Sequence, residues 1–308
     1  MKEIESALVV GAGAIGAAVA SILFDADSEA VALCAAGERR ERYLREGFIV
    51  NEKHYSFRIA DPAVDGPYDL VIVSVKTDGL AGAIEEMRPF VGPNTTILSL
   101  LNGISSEEIL RAEFGREKVP LAIIIAIDAL RVGNRIEFKS PGEIRFGFEK
   151  DFPEASENRI TSVSRFFDAH DIRHATPPDM ARVLWYKFMI NVALNQWSAL
   201  IRGSYGLFQK SVPARLLLTE TMKEVIALSD ALGKGLVPED IDTIFATIDN
   251  LNENGKTSML QDVEAGRKTE VEAFARVIVE KSRECGLSAP INQVLLLAIK
   301  AMEDGFVA

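Results

Sequence analysis

A lysine and two asparagines recur at helical spacing in the second half of the chain. Lys187, Asn191 and Asn195 stand at i, i+4 and i+8, so on an α-helix they would form one stripe. Their neighbours are mostly apolar, and asparagine is unfavourable inside a helix because its side chain competes with the backbone. A lysine ammonium can donate a proton to an oxygen and stabilise negative charge that develops there. We therefore expect a polar site along this helix; the alternative is a hydrated stripe on an otherwise buried helix.

A second polar segment lies further along the chain, in the runs Thr-Ser-Met-Leu-Gln-Asp at 257–262 and Lys-Thr-Glu at 268–270. Ser258 could donate a hydrogen bond to a carboxylate, and Glu270 could orient or balance a buried ammonium. Taken alone, the segment is also typical of an ordinary helix start, with Ser258 near the N-cap.

A glycine-rich loop opens the chain, between the predicted strand Ala7–Val10 and the predicted helix Ala14–Phe24. It consists of Gly11, Ala12, Gly13, Ala14, Ile15 and Gly16. In a G-x-G-x-x-G loop the first glycine permits a tight turn, the second admits a pyrophosphate, and the third allows close helix–strand packing. The helix N-terminus adds N–H donors for phosphates. The loop therefore predicts dinucleotide binding; alternatively, its small residues only ease helix–sheet packing.

The end of the second predicted strand, Ala30–Cys34, carries no carboxylate. The chain continues with Ala-Ala-Gly at 35–37 and then Glu38, Arg39 and Arg40. A carboxylate there would bind the ribose hydroxyls of NAD, whereas a nearby arginine accommodates the 2′-phosphate of NADP. We therefore expect NADPH, with NADH possible, and Arg39 as a contact; the arginines could equally be a solvated helix start.

Two polar residues follow predicted strands. Lys76 stands just after the apolar run Asp69–Val75, and Asn102 stands just after Thr95–Leu100. In open α/β sheets, ligands bind beyond the carboxyl ends of the strands. We expect Lys76 and Asn102 to contact the cofactor, and Asn102 also the substrate; a purely structural role for the lysine is the alternative.

Strand and helix patterns alternate through the first half, which predicts a Rossmann-type doubly wound α/β sheet. Ile136–Phe138 and Ile144–Phe148 look like an antiparallel addition at the sheet edge, separated by a Ser-Pro-Gly turn at 140–142. Strand patterns stop after residue 178 and helical periodicity follows. We expect a dinucleotide-binding domain at residues 1–177 and an all-helical substrate-binding and catalytic domain at residues 178–308.

Composition narrows the classes of function. The net charge of -11 argues against a nucleic-acid partner, because a phosphate backbone needs a basic face. Two separated cysteines exclude a disulfide framework, and neither a signal peptide nor a membrane-spanning run is evident, so we expect a cytoplasmic protein. The three histidines lack clustered cysteines or carboxylates, and we expect no metal site.

These motifs together resemble the ketopantoate reductase (2-dehydropantoate 2-reductase) family, nearly end to end. The resemblance rests on the glycine-rich loop, the strand before Lys76, the Asn102-Gly103 pair, the W-x-K-x3-N-x3-N run at 185–195 and the S-M-L-Q-D and K-T-E runs within 258–270. The run at 185–195 and the runs within 258–270 are specific to the family, whereas the glycine-rich loop is not. The resemblance implies NADPH-dependent reduction of 2-dehydropantoate to pantoate.

The resemblance also implies roles for individual residues. Lys187 would be the catalytic acid, and Glu270 would help to position it or the ribose. The residues implied to hold hydroxyl and carboxylate groups of the substrate are Asn191, Asn195 and Ser258, and those implied to contact cofactor or substrate are Asn102 and Lys76.

Two positions depart from the family pattern. Ala36 stands where members usually carry an arginine for the 2′-phosphate, and Gly255 stands where an asparagine often precedes the serine. Two alternatives therefore stay open: a related dehydrogenase for another 2-keto or 2-hydroxy acid, and a non-catalytic dinucleotide-binding regulator. The expected partner is a small 2-keto acid, and a homodimer is possible.

Overall fold

The computed structural model describes residues 3–152 and 157–306. The chain divides into two compact units, residues 1–101 with 106–181 and residues 102–105 with 182–308. The short segment 102–105 therefore groups with the second unit, although it lies within the sequence of the first.

The first unit contains the strands of the described chain. They are β1 (Ala7–Val10), β2 (Val31–Cys34), β3 (Phe48–Val50), β4 (Lys53–Tyr55), β5 (Arg58–Ile59), β6 (Leu70–Val73), β7 (Thr96–Ser99), β8 (Leu121–Ile127), β9 (Leu130–Val132), β10 (Arg135–Glu137), β11 (Pro141–Gly147) and β12 (His174–Ala175). Its helices are α1 (Ala14–Ala26), α2 (Gly37–Glu46), α3 (Leu80–Met87), α4 (Ser106–Phe114) and α5 (Glu157–Ala169).

The centre of the first unit is a five-stranded parallel sheet with strand order β5-β2-β1-β6-β7. Every residue of β1 is buried, and alternate residues belong to two different apolar cores: Ala7 and Val9 to one, Leu8 and Val10 to the other. A strand buried on both faces reads as a continuous apolar run, as these strands do. The predicted Rossmann-type parallel sheet is confirmed.

The predicted antiparallel addition at the sheet edge was wrong in its pairing. β10 pairs with β9 and β3 in a separate four-stranded sheet, whereas β11 pairs with β8 in a three-stranded sheet. A turn with Gly133 at a φ of 63° joins β9 to β10, and β8 provides a longer apolar partner for β11. Strand lengths and the earlier turn thus decided the pairing, rather than the Ser-Pro-Gly turn.

The regular elements among the described residues of the second unit are all helices, and the predicted helical C-terminal domain is confirmed. Its helices are α6 (Met180–Ile190), which begins within the first unit, α7 (Gln196–Ile201), α8 (Tyr205–Lys210), α9 (Val212–Ala231), α10 (Asp240–Asp249), α11 (Ser258–Glu264), α12 (Val277–Glu284) and α13 (Pro290–Asp304). Two π-helical segments, Asn191–Asn195 and Glu272–Arg276, precede α7 and α12. Over 3–152 and 157–306, no helix has the length and apolarity to cross a bilayer.

Glu107 on α4 is a buried carboxyl group. The residue is 2% exposed, Ser106 Oγ donates to its Oε2 at 2.9 Å, and the backbone N–H of Ala122 donates to its Oε1 at 3.4 Å. Burial raises the pKa of the Glu107 carboxyl from 4.5 to about 7, while the hydrogen bond from Ser106 acts in the opposite direction. The folded chain therefore binds this proton more tightly than the unfolded chain does.

We predict that Glu107→Gln stabilises the protein increasingly as pH rises. A raised carboxyl pKa contributes stability that is complete below the unfolded value and is lost as pH rises through the folded value. Glutamine has the shape of the protonated acid and offers an acceptor to Ala122 and a donor to Ser106. Its advantage over glutamate should grow by about 2 kcal/mol between about pH 5.5 and about pH 8.5, measured by urea unfolding.

Glu108→Gln, which removes an exposed carboxylate from the same helix, is the matched control. Parallel pH profiles for Glu107→Gln and the wild type would contradict the prediction.

Candidate functional site

Three of the predicted site residues meet within the second unit, at the side chain of Asn102. Lys187 Nζ donates to Asn102 Oδ1 at 3.0 Å, and Asn102 Nδ2 donates to Glu270 Oε2 at 3.1 Å. An amide is suited to this position because one end accepts from an ammonium while the other donates to a carboxylate. All three residues are half-buried. The two ends of the Asn102 amide therefore connect the Lys187 ammonium with the Glu270 carboxylate.

Gly103 allows the backbone that carries Asn102 to lie against the second π-helical segment. It has a φ of +102°, and a Cβ there would lie 3.3 Å from the backbone oxygen of Ala273. A side chain would therefore crowd Ala273 as well as strain the backbone. Glu270 lies just before that segment, Glu272–Arg276. The Asn102-Gly103 pair in the sequence thus has a physical reason: the asparagine supplies the amide and the glycine the close approach.

The predicted continuous helix through Lys187, Asn191 and Asn195 is interrupted. α6 ends at Ile190, and Asn191–Asn195 forms a wider π-helical turn. The prediction of one α-helical stripe from the i, i+4, i+8 spacing was therefore wrong, because a π-turn shifts the phase of the residues that follow. The two asparagines still meet, since Asn195 Nδ2 lies 3.4 Å from Asn191 Oδ1. π-turns inside α-helices occur frequently at functional sites.

Gln196, which directly follows the π-turn, is a supporting residue that sequence reasoning missed. It is fully buried, and its side-chain amide donates to the Val192 carbonyl at 2.7 Å and to Asn292 Oδ1 at 3.4 Å. Asn292 in turn donates to Glu224 at 2.8 Å. This chain of hydrogen bonds connects the π-turn with α9 and α13. Nothing in the sequence around Gln196 indicates it, because its side-chain partner Asn292 lies 96 residues away along the chain.

Ser258 is exposed at the first position of α11, and the helix cap is its neighbour. Thr257 Oγ1 accepts from the backbone N–H of Leu260 at 3.1 Å and donates to Ser198 Oγ at 3.1 Å. Ser198 is buried and donates to the Gly203 carbonyl, so it is held by structural bonds. The hydroxyl of Ser258 therefore stays at the surface of the unit, beside a capped and anchored helix start.

Gly255 leaves its side-chain space to an aromatic ring. A Cβ at this position would lie 2.8 Å from ring atoms of Tyr205, and the Tyr205 N–H donates to the Gly255 carbonyl at 3.0 Å. Burial raises the pKa of the Tyr205 hydroxyl, which donates to the Lys256 carbonyl at 3.2 Å. An asparagine could stand at position 255 only if this ring moved.

The glycine-rich loop of the first unit has the geometry expected of a phosphate cradle. Gly11 has a φ of +94°, and a Cβ there would lie 2.6 Å from Val75 Cγ1 and 2.7 Å from the Ser74 oxygen. A Cβ on Gly16 would overlap the carbonyl oxygen of Gly11. Gly13, in contrast, has only the Ser74 oxygen near its Cβ position, at 3.8 Å. The first and third glycines are thus required by the fold, while the second leaves open space in front of the α1 N-terminus.

Lys76 is exposed and lies directly before a single 3-10 turn, Thr77–Gly79. Ser74, two residues earlier, donates through its N–H to the Val10 carbonyl at 2.8 Å and borders the glycine-rich loop. Lys76 therefore follows the strand that borders the cradle.

Arg39 and Arg40 are both paired with carboxylates. Arg39 forms an ion pair with Glu86 on α3, and Arg40 donates to Asp61 at 3.1 Å. Burial raises the pKa of the Cys34 thiol, at the end of β2, to about 12, which disfavours its thiolate form. The negative charge of Glu86 also raises this pKa, and Arg39 lowers it.

Arg131 and Ala126 are further features of this unit that the sequence did not indicate. The Arg131 guanidinium donates to the Ala12 carbonyl of the glycine-rich loop and lies over the Phe48 ring, 5.6 Å from its centroid. Ala126, in β8, has a φ of 53°. Such backbone conformations in non-glycine residues concentrate at functional sites.

Comparisons with known proteins agree over most of the chain. The family model of ketopantoate reductase PanE/ApbA matches residues 7–150, and the model of its C-terminal domain matches residues 179–303. The 2-dehydropantoate 2-reductase of Aquifex aeolicus (strain VF5) is 28% identical over 312 residues, 96% of this chain and 96% of that protein.

Two solved structures illustrate the range of similar folds. A ternary complex of D-mandelate dehydrogenase with NADH and anilino(oxo)acetate has a TM-score of 0.88 at 18% identity, covering 98% of this chain and 99% of that one. A dimeric ketopantoate reductase from Staphylococcus aureus has a TM-score of 0.80 at 18% identity, with 98% and 99% covered.

Proposed function

We propose that this chain, which belongs to the ketopantoate reductase family of oxidoreductases acting on 2-keto acids, reduces 2-dehydropantoate to pantoate with NADPH, or alternatively NADH, as hydride donor. The observation that carries the proposal is the Lys187–Asn102–Glu270 contact chain, because it holds an ammonium at a defined place in a half-buried site.

Lys187 is proposed as the proton donor. Negative charge builds on the keto oxygen as C2 is reduced, and an ammonium beside that oxygen both stabilises the charge and supplies the proton. Asn102 holds the amine end of the lysine at 3.0 Å, and Glu270 orients Asn102. A nicotinamide bound to the chain supplies the hydride.

The other predicted site residues are proposed to bind either the substrate or the cofactor. Asn191, Asn195 and Ser258 are proposed to hold hydroxyl and carboxylate groups of the substrate. The loop Gly11–Gly16, with the α1 N-terminus, is proposed to hold the pyrophosphate, because Gly13 leaves the approach open. Lys76 and Arg39 are proposed as cofactor contacts and Asn102 as a contact to cofactor and substrate.

A related 2-keto acid is the second candidate substrate. The Tyr205 ring fills the space that an asparagine at position 255 would need. The similar fold solved with NADH and anilino(oxo)acetate belongs to a D-mandelate dehydrogenase. A non-catalytic regulator is less well supported, since a binding protein does not need an ammonium anchored by Asn102.

The test is NADPH and NADH oxidation, followed by absorbance, with a panel of 2-keto acids. The panel comprises 2-dehydropantoate, 2-ketoisovalerate, phenylglyoxylate and pyruvate. We expect the highest kcat/KM with 2-dehydropantoate. A preference for any of the other three acids would select the second candidate, and no oxidation with any acid, in a protein that binds the dinucleotides, would select the regulator.

A homodimer and a cytoplasmic location are also proposed. The structurally similar reductase from Staphylococcus aureus is described as dimeric, and both cysteines, Cys34 and Cys285, are free, as is common in a reducing compartment. Light scattering coupled to gel filtration measures the assembly directly.

A further inference from the structure

The end of β2 is the place where Rossmann-type folds distinguish NADP from NAD. A carboxylate there binds the ribose hydroxyls, and an arginine accommodates the 2′-phosphate. In this chain, Cys34 ends β2, Ala35 and Ala36 follow, and α2 begins at Gly37. No charged residue stands within that stretch, so the nearby charges must come from side chains that reach it from elsewhere.

Arg39 and Glu86 are two charges that reach this strand end. They form an ion pair although they lie 47 residues apart in sequence, and their side chains are 42% and 28% exposed. Arg39 lies in the first turn of α2, which begins three residues after Cys34, and the ion pair brings Glu86 to the same place. Both charges also act on the Cys34 thiol, in opposite directions. Arg39 is therefore not an isolated cation, because a carboxylate of equal and opposite charge stands next to it.

This arrangement weakens a 2′-phosphate site in two ways. The phosphate must compete with Glu86 for the guanidinium, and it must lie near a negative charge that stays in place after the ion pair opens. Exposed ion pairs contribute little to stability, so the pair can open. When the ion pair opens, Glu86 keeps its negative charge and still repels the phosphate.

We infer that Glu86 sets the coenzyme selectivity of this chain, by neutralising Arg39 and disfavouring the 2′-phosphate of NADPH relative to the hydroxyl of NADH. The inference rests on the proposed function only in requiring that the glycine-rich loop binds a nicotinamide dinucleotide. Glu86 acts on the ribose that carries the 2′-phosphate or hydroxyl of that ligand, and it takes part in no step of the keto-acid reduction.

Glu86→Gln is the test, with dissociation constants of NADP⁺ and NAD⁺ measured by isothermal titration calorimetry. We expect the wild type to bind the two within about tenfold of each other, and the variant to bind NADP⁺ about three- to tenfold more tightly with NAD⁺ changed less than about twofold. The gain should shrink as salt is raised, because the charges are exposed. Adding Arg39→Gln to the variant should remove it.

Glu85→Gln is the matched control. Glu85 is the preceding residue of the same helix, its side chain is 72% exposed, and it pairs with Arg88. The two variants change the net charge equally, so only a local effect distinguishes them. An unchanged NADP⁺ to NAD⁺ ratio in Glu86→Gln, or the same change in Glu85→Gln, would overturn the inference.

The inference and the proposed function fail differently. If the protein binds both dinucleotides but reduces no keto acid, the proposed reaction is contradicted. The ratio of the NADP⁺ and NAD⁺ dissociation constants then still tests the role of Glu86. A wild type that binds neither dinucleotide overturns both.

Discussion

Lys187→Ala is expected to lower kcat by at least about 100-fold while leaving the dissociation constant of the dinucleotide within about twofold of the wild type. The ammonium is proposed to stabilise charge that exists only in the transition state, so its loss should appear in kcat. Stopped-flow reduction of the keto acid gives kcat, and fluorescence titration of the reduced dinucleotide gives the affinity.

Lys187→Arg and Lys187→Gln separate charge from proton donation. Arginine keeps the positive charge but holds its proton more tightly, so it should retain more activity than glutamine, which is neutral. Both can still donate to Asn102 Oδ1, the partner of Lys187 in the structure. If Lys187→Ala turned over the keto acid at close to the wild-type rate, the proposed role of Lys187 as proton donor would be contradicted.

Gly13→Ala is expected to weaken binding of both dinucleotides by at least about tenfold without changing Tm. Gly13 has φ −70° and ψ −159°, which alanine adopts without strain, and the nearest atom to the new methyl group is the Ser74 oxygen at 3.8 Å. The methyl group therefore fits the protein alone but occupies the approach of the pyrophosphate. Calorimetric titration and thermal unfolding measure the two effects separately.

Gly16→Ala is the matched control for this loop. Its methyl group would overlap the Gly11 carbonyl oxygen, so we expect a lower Tm even without ligand. Unchanged dinucleotide affinity in Gly13→Ala would show that the pyrophosphate does not approach this loop.

The parallel sheet could be predicted because local pattern determines it. Each central strand, such as Leu70–Val73, is a short apolar run buried on both faces. Pairing between β10 and its partners could not be predicted, because register and neighbour choice depend on other strands. The hairpin at Gly133 competed with the expected pairing, and a single sequence does not say which of two turns prevails.

The residues of the site were easier to predict than their contacts. Lys187 and Asn102 lie 85 residues apart, and Asn102 and Glu270 lie 168 apart, so no spacing rule brings them together. The π-turn at Asn191–Asn195 was also outside prediction, because helical spacing assumes an unbroken α-helix. Gln196, which directly follows this turn, could not be predicted either, because its partner Asn292 is 96 residues away.

Transfer of deuterium from the nicotinamide to C2 of the product tests the central claim most directly. The protein is incubated with NADPH or NADH deuterated at C4 on either face, and with the best acid of the panel; the 2-hydroxy acid is then analysed by mass spectrometry and NMR. The account predicts one deuterium on C2, delivered from one face only. A product that lacks deuterium at C2 with both labelled forms of the cofactor, or no 2-hydroxy acid from any keto acid tested, would contradict it.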